Sequence, residues 1–176
     1  MTNYVYIATS LDGFIATSDG GLDWLEKIPN PEQSDYGYAE FIEGIDAIVM
    51  GRNTFEKVLT FGQWVYDKPA FILSDSLTEL PEHLFGKAEI VCGDIKKIIT
   101  QLDRKGYKNL YIDGGRVIQS FIQEDLIDEM IITHVPILLG KGISLFGELK
   151  QHLQFRHKKT EIYNNALVKS YYTRGR

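Results

Sequence analysis

The chain has 176 residues, of which 44% are hydrophobic and 24% charged, a composition typical of one folded domain and not of a disordered or collagen-like chain. Its 19 basic and 24 acidic residues give a net charge of −5, which argues against a broad nucleic-acid-binding surface. A single cysteine excludes a disulfide framework and a four-thiolate metal site. We therefore expect one domain, residues 1–176, in a reducing compartment such as the cytoplasm, without a signal peptide or a membrane-spanning segment.

The first predicted elements are a strand, a loop and a helix. Residues 4–8 are rich in β-formers and predict a strand, after which the polar, glycine-punctuated residues 10–21 predict a long mobile loop. Apolar side chains then recur at helical spacing within residues 34–45. Gly44 is well placed to end that helix.

The next stretch predicts buried strands and a short helix. Residues 47–50 form an apolar run without alternation, which is typical of a parallel strand covered on both faces. Asn53 and Glu56 have the spacing of a capping box, which predicts that a helix begins there. Residues 70–73 and 89–92 are two further apolar runs and predict two more strands.

A second helix and a strand–turn–helix unit follow. Asp94 is a good N-cap for a helix that Gly106 would end. Residues 109–112 predict a buried strand that runs straight into the turn 113–116 and then into a helix around residues 117–122. A strand, a glycine-rich turn and a helix in this order present backbone amides and a helix N-terminus to an anion.

The last third predicts antiparallel structure. Residues 130–135 read as a strand, and residues 139–142 as a glycine-rich turn. Residues 160–163 and 166–172 flank Asn164-Asn165, a pair that tolerates positive φ and suits a tight hairpin. The predicted class is therefore α/β, with a mostly parallel central sheet, helices on both faces and an antiparallel hairpin at the C-terminus.

Four of the predicted strands end in polar and glycine residues. These ends are residues 10–13, 51–54, 74–75 and 113–116. Because the carboxyl ends of parallel strands lie at one edge of a sheet, two helix N-termini and two arginines would meet there and complement a phosphate-rich ligand. A dinucleotide is the expected ligand, although the Gly-x-Gly-x-x-Gly fingerprint is absent from the first strand-to-helix turn.

Four motifs in order and spacing resemble the dihydrofolate reductase superfamily over about residues 3–173. They are Ser-Leu-Asp-Gly-Phe-Ile-Ala at 10–16, Met-Gly-Arg-Asn-Thr-Phe-Glu at 50–56, Ile-Asp-Gly-Gly-Arg-Val at 112–117 and Ile-Thr-His-Val at 132–135. Asp12 and Asp113 make the chain most similar to the reductase domain of the bifunctional riboflavin-biosynthesis deaminase/reductase and its stand-alone relatives. The chain lacks the cysteines of the deaminase zinc site, so a reductase alone is expected.

The resemblance implies NADPH as the cofactor and no metal. Backbone groups of Ala8 and Ile15 would hold the nicotinamide carboxamide, and Gly114-Gly115 would allow a close backbone approach to the pyrophosphate. The remaining predicted cofactor contacts are Gly51, Arg52, Asn53, Thr54, Ser74, Arg116 and Val117. The arginines favour NADPH over NADH because they offer bidentate partners to the extra phosphate.

Four residues are candidates for the substrate side. Asp12 and Asp35 are the candidate catalytic acids, because hydride addition must be matched by a proton. Asp12 also has the place of a common turn residue, and Asp35 that of a helix first-turn acid. Trp24 and Thr133 match substrate-side positions of the superfamily. Alternatively, Trp24 is a core aromatic and Thr133 is an ordinary strand residue.

The implied activity is an NADPH-dependent reduction of a small heterocycle, most similar to 5-amino-6-(5-phosphoribosylamino)uracil reduction in riboflavin synthesis. Reduction of dihydrofolate or another pterin is one alternative. A protein that binds NADPH without catalysis is another. The resemblance also implies a homodimer formed through the C-terminal strands, with a pyrimidine or pterin as the small-molecule partner.

Overall fold

A computed structural model describes residues 1–175, and within them the chain forms ten strands and four α-helices. The strands are β1 (Thr2–Ser10), β2 (Phe14–Ala16), β3 (Ala47–Gly51), β4 (Ala70–Leu73), β5 (Ala88–Val91), β6 (Asn109–Asp113), β7 (Glu129–Val135), β8 (Ile143–Ser144), β9 (Phe155–Tyr163) and β10 (Leu167–Arg174). The helices are α1 (Tyr38–Glu43), α2 (Arg52–Leu59), α3 (Ile95–Arg104) and α4 (Gly115–Gln123). None of these helices is both long and apolar enough to cross a membrane.

Eight of the strands form one sheet in the order β5-β4-β3-β6-β1-β7-β10-β9. The six strands from β5 to β7 are parallel, and β10 runs antiparallel to both β7 and β9. The structure confirms the predicted α/β class, with its mostly parallel sheet and antiparallel C-terminal hairpin. Asn164 and Asn165 turn the hairpin with positive φ as predicted, 54° and 49°, but Ala166 also lies in the turn, because Tyr163 pairs with Leu167.

The parallel strands are apolar on both sides because helices cover both faces of the sheet. On one face α3 and α4 pack around Val49 and Ile112, and on the other α1 and α2 pack around Ile48 and Met50. The first four residues of β3 are all buried, as its run of apolar residues predicts. The sheet therefore carries its functional groups at the strand ends, where the chain leaves the core.

Three predicted local features differ in the structure. The loop after β1 contains the short strand β2, which pairs with β8. The capping box at Asn53 is wrong, because α2 begins at Arg52 with Gly51 at its N-cap and no capping side chain. The helix predicted within residues 34–45 is only Tyr38–Glu43, because Tyr36 and Gly37 adopt left-handed backbone (φ 54° and 81°) and interrupt the helical path.

Candidate active site

A cavity of about 1340 Å³ opens at the carboxyl edge of the sheet. It runs past the ends of β5, β4, β3, β6 and β1, which are neighbours in the sheet. A pocket for one drug-sized ligand is typically about 300–1,000 Å³. This cavity is therefore large enough for a dinucleotide together with part of a second small molecule.

All residues that the sequence suggested as cofactor contacts line this one cavity. They are Ala8, Ile15, Gly51, Arg52, Asn53, Thr54, Ser74, Gly114, Gly115, Arg116 and Val117. The parallel register brings two of the groups side by side, since Met50 of β3 pairs with Asp113 of β6. The helices α2 and α4 consequently begin at adjacent strand ends and both face the cavity.

The starts of α2 and α4 form a close-packed cradle of backbone. Neither helix has a side-chain hydrogen bond at its N-cap, which is Gly51 in α2 and Gly114 in α4. Gly114 has a φ of 89°, and a Cβ there would collide with the side chain of Thr54. A Cβ on Gly115 would lie 2.7 Å from Cδ1 of Ile15. Uncapped amides at two helix N-termini, kept accessible by glycine, suit the phosphates of a dinucleotide.

Basic and hydroxyl side chains surround this cradle, and we call the region lined by Arg52, Ser74, Ser76 and Arg116 the basic end. Arg52 Nε donates to Glu56 Oε1 at 2.6 Å, and its Nη1 donates to Ser76 Oγ at 3.0 Å. These contacts hold the guanidinium across the ends of β3 and β4. The exposed Asp75 also lines this region, so its capacity for anions depends on the arginines and backbone amides.

A second part of the cavity, next to the cradle, is lined by Tyr6, Tyr66, Tyr111 and Asp113, and we call it the acidic end. Tyr66 Oη donates to Asp113 Oδ2 at 3.1 Å, and the Gly114 amide donates to Oδ1 at 2.8 Å. Tyr111 Oη donates to the carbonyl of Tyr6 at 3.0 Å. Tyr66 and the Gly114 amide thus fix the carboxyl at the end of β6.

Burial raises the pKa of the Asp113 carboxyl, and the hydrogen bonds from Tyr66 and Gly114 offset this only in part. Burial also raises the pKa of Tyr6 to about 12 and that of Tyr66 well above its ordinary value. The phenols therefore stay protonated at neutral pH. Asp113 holds a proton more readily than an exposed aspartate does, as a general acid must.

In the sequence, Asp113 serves only as a family marker, and its role as a candidate acid was not predicted. The available signal was its position, directly after a buried strand and directly before two glycines. What the sequence did not show is its partner Tyr66, which is 47 residues away. Only packing brings that phenol to the carboxyl.

Asp12, predicted as a catalytic acid, lies outside the cavity lining and is exposed. Ser10 Oγ donates to its Oδ1 at 2.6 Å, and the amides of Leu139 and Gly140 donate to its two oxygens at 3.1 and 2.7 Å. The Ser10 hydrogen bond is the main cause of a lowered pKa at Asp12. A carboxyl group whose charged form is stabilised loses its proton at a lower pH. This geometry therefore fits the alternative interpretation of Asp12 as a turn residue, which here connects two loops.

Asp35, the second predicted acid, is also exposed and outside the cavity lining. Its two oxygens accept from the amides of Gly37 and Ala39, at 2.9 and 2.8 Å. Those backbone hydrogen bonds lower the pKa of Asp35. The contacts fit the alternative in which the acid stabilises the start of α1.

Trp24 and Thr133, the predicted substrate contacts, are buried beside the cavity and do not line it. Trp24 packs with Val135 and Leu167 as a core aromatic, while its neighbours Leu22 and Leu25 do line the cavity. Thr133 pairs with Ala8 in the sheet. Among residues 1–175, no three His, Cys, Asp or Glu side chains are grouped so that they could hold a metal ion.

The chain is similar to known proteins over its full length. The profile of the RibD C-terminal domain matches residues 4–169. The uncharacterized protein YwjB of Bacillus subtilis (strain 168) is 36% identical over 175 residues, which cover 97% of each chain. A crystal structure of a protein of Shewanella sp. PV-4, provisionally named as a riboflavin biosynthesis protein, is 50% identical, with a TM-score of 0.97 and complete coverage of both chains.

More distant structures share the fold. The deaminase/5-amino-6-(5-phosphoribosylamino)uracil reductase of Thermotoga maritima is 15% identical, with a TM-score of 0.74 over 99% of this chain and 56% of that one. Dihydrofolate reductase of Enterococcus faecalis, complexed with NADP(H), is 17% identical, with a TM-score of 0.71 over 99% of this chain and 97% of the other. The predicted dihydrofolate reductase-like fold is thereby confirmed.

Proposed function

The chain belongs to the RibD C-terminal domain family, and on that premise we propose that it is an NADPH-dependent reductase of a small nitrogen heterocycle, similar to the 5-amino-6-(5-phosphoribosylamino)uracil reductases. The family supports an oxidoreductase of the riboflavin-biosynthesis type. One observation carries the proposal: a single cavity contains both a cradle of helix N-termini suited to anions and a half-buried acid, Asp113, beside it. A hydride-transfer site requires a cofactor and a proton source in this relation.

NADPH fits the residues of the basic end. The amides at the starts of α2 and α4 would hold the pyrophosphate, and Arg52 with Ser74 and Ser76 would hold the extra ribose phosphate. The glycine at position 114 supports this assignment, because a Cβ there would collide with Thr54 and prevent the close packing of the two helix N-termini. When bound, NADPH supplies the hydride, and the backbone of Ala8 and Ile15 would fix the orientation of the nicotinamide.

The acidic end supplies the proton in this proposal. A C=N or C=O group that accepts a hydride must also take up a proton. Asp113 is half-buried and has the raised pKa of a proton donor, and Tyr66 orients its carboxyl. We assign the donor role to Asp113, whereas Asp12 and Asp35 hold the loops next to the site through their backbone contacts.

The test is oxidation of NADPH by the purified protein, followed at the nicotinamide absorbance band. We expect absorbance loss with 5-amino-6-(ribosylamino)uracil or its 5′-phosphate. Loss with dihydrofolate alone would make the protein a pterin reductase instead. Tight NADPH binding without turnover of any of these compounds would contradict the reductase proposal and leave a cofactor-binding protein.

We further propose that the protein forms a homodimer through β9 and β10. Ile162 of β9 and Val168 of β10 are paired neighbours, and their side chains are 67% and 37% exposed. Paired apolar side chains at the sheet edge support an interface there. Sedimentation velocity of wild type and of Ile162→Glu tests this, with a shift from dimer to monomer expected.

The exposed free thiol of Cys92 supports a reducing location such as the cytoplasm.

A further inference from the structure

The segment that joins α2 to β4, residues 60–69, carries Tyr66 to the acidic end and forms neither helix nor strand. Trp64 and Tyr66 are half-buried, whereas Val65 between them and Asp67 after them are exposed. No regular backbone ladder therefore fixes the position of the Tyr66 phenol. That position depends on what the two half-buried side chains contact.

Trp64 fastens this segment to α2. Its indole ring packs edge-on against Phe55 of α2, with the ring centroids 6.0 Å apart, and edge-on against Tyr66 at 5.4 Å. Such T-shaped pairs are favourable beyond the area that they bury. Because Phe55 is 1% exposed, its ring is a fixed point in the core. Trp64 thus connects the core side of α2 to the ring of Tyr66.

The hydroxyl of Tyr66 meets the carboxyl of Asp113, with Oη donating to Oδ2 at 3.1 Å. The Gly114 amide donates to the other oxygen, so the two contacts together set the plane of the carboxyl. Trp64 does not line the cavity, whereas Tyr66 and Asp113 do. Any effect of Trp64 on the acid therefore passes through Tyr66.

The groups that act on the pKa of Asp113 are phenols and an amide. Burial raises this pKa, while hydrogen bonds from Tyr66, the Gly114 amide and Tyr111 lower it. Tyr38 of α1 faces the same carboxyl, and burial together with the charge of Asp113 raises the pKa of that phenol to about 12. Because a donated hydrogen bond stabilises the ionised carboxylate, loss of the Tyr66 hydroxyl would raise the pKa of Asp113 further.

We propose that Trp64, outside the cavity, is a positioning residue for the acid: it holds the Tyr66 phenol on Asp113 and so sets the direction of the carboxyl. This inference rests on the proposed function, because it takes Asp113 as the proton donor. Among residues 1–175 the buried indole N–H of Trp64 has no hydrogen-bond partner, so its ring does the holding. Trp64→Phe should consequently preserve the role, and Trp64→Ala should abolish it.

The first readout does not require turnover. Protein labelled with ¹³C at its aspartate carboxyls is titrated with acid and followed by NMR, and Asp113→Asn identifies the Asp113 signal. Tyr66→Phe and Trp64→Ala should each raise the pKa of Asp113 by about 0.5 or more. The double variant should raise it no further, because Trp64 acts through Tyr66. An unchanged or lowered pKa in Trp64→Ala, or additive shifts in the double variant, would overturn the proposal.

Two control variants separate positioning from general packing. Trp64→Phe keeps a ring between Phe55 and Tyr66 and should keep the wild-type pKa of Asp113. Tyr107→Ala removes a T-shaped contact with Phe71 at 5.4 Å, on the sheet face covered by α3 and α4 and outside the cavity lining. It should also leave that pKa unchanged. Equal shifts in Tyr107→Ala and Trp64→Ala would assign the effect to packing and refute the positioning role.

Turnover tests the proposed function separately. Since Asp113 must be protonated to donate, kcat should fall as the pH rises through its pKa. In Tyr66→Phe and Trp64→Ala this fall should move to higher pH, and the maximal kcat should decrease about tenfold or more. Wild-type kcat and pH profile in both variants would contradict the role of Trp64. If wild-type protein oxidises NADPH with no heterocycle, the reductase assignment fails, and the NMR titration decides alone whether Trp64 positions the carboxyl.

Discussion

The basic and acidic ends of the cavity share one sheet edge but are built in different ways. At the basic end, consecutive residues at the starts of α2 and α4 provide the anion-binding amides, and glycine keeps them accessible. At the acidic end, Asp113 and Tyr66 meet from segments 47 residues apart. Local motifs thus build the proposed cofactor site, whereas long-range packing builds the proposed substrate side.

The largest expected effect comes from removing the proposed proton donor, which should impair catalysis at the acidic end and leave cofactor binding at the basic end intact. We expect Asp113→Asn to lower kcat by about 10²- to 10⁴-fold, as loss of a positioned acid does, and to leave the NADPH dissociation constant within about twofold. Steady-state kinetics and a fluorescence titration with NADPH measure the two quantities. Asp103→Asn is the control, since Asp103 pairs with Lys108 and lies outside the cavity lining, and it should change neither. Retention of kcat in Asp113→Asn would show that the proton comes from elsewhere.

The second prediction concerns a substitution that disrupts only the basic end. Gly114→Ala places a Cβ against Thr54 at a φ of 89°, with a strain of about 1–3 kcal/mol. We expect NADPH affinity to fall about tenfold or more. The control is Gly106→Ala, because Gly106 has a similar φ of 98° with no atom within 4 Å of the added Cβ and lies outside the cavity lining. Equal loss of affinity in both variants would refute the cradle.

The third prediction sharpens the role of Arg52. If its guanidinium holds the extra ribose phosphate, Arg52→Ala should weaken NADPH binding about tenfold and leave NADH binding nearly unchanged. Titrations with the two cofactors give the ratio directly. Arg104→Ala, an exposed change on α3, should leave the ratio at its wild-type value. Parallel losses for both cofactors would instead mean that Arg52 contacts the shared pyrophosphate.

The smallest effect concerns the buried cation Lys169, whose Nζ lies 3.0 Å from Glu161 Oε2. Burial acts to raise the pKa of Glu161, but hydrogen bonds from Tyr171, Lys159 and Lys169 outweigh it and lower the pKa from 4.5 to about 2. A depressed carboxyl pKa stabilises the folded state above the unfolded-state value, and this contribution is lost as the pH falls through about 2. Glu161→Gln should therefore show a shallower loss of unfolding free energy between about pH 5 and pH 2.

Urea unfolding across that pH range measures this effect. Glu89→Gln is the control, because Glu89 forms an exposed surface pair with Lys105, and it should keep the wild-type pH dependence. An unchanged pH dependence in Glu161→Gln would show that Glu161 does not balance the charge of Lys169.

Much of the fold was predictable because short-range sequence patterns indicate its strands and turns. Apolar runs without alternation predicted the parallel strands, and Asn164-Asn165 predicted the hairpin turn. The residues proposed to contact the cofactor include glycines and arginines placed directly after those strands, and they line one cavity. Each of these signals lies within a few neighbouring residues.

The rest depended on contacts between distant residues. Asp12 and Asp35 have the chemistry of acids, but backbone amides from folded loops and turns occupy their oxygens. The pairing of Lys169 with the carbonyl of Tyr36, 133 residues away, has no sequence signal. A single sequence identifies a residue type suited to catalysis, and packing decides which copy of it reaches the cavity.

The most direct test of the central claim is a crystal structure of the protein with NADP⁺. We predict that the pyrophosphate lies on the amides at the starts of α2 and α4, and that the nicotinamide lies beside Ala8 with Asp113 at the adjoining acidic end. A cofactor bound in the reverse orientation, with its adenine beside Asp113, or bound outside this cavity would contradict the account.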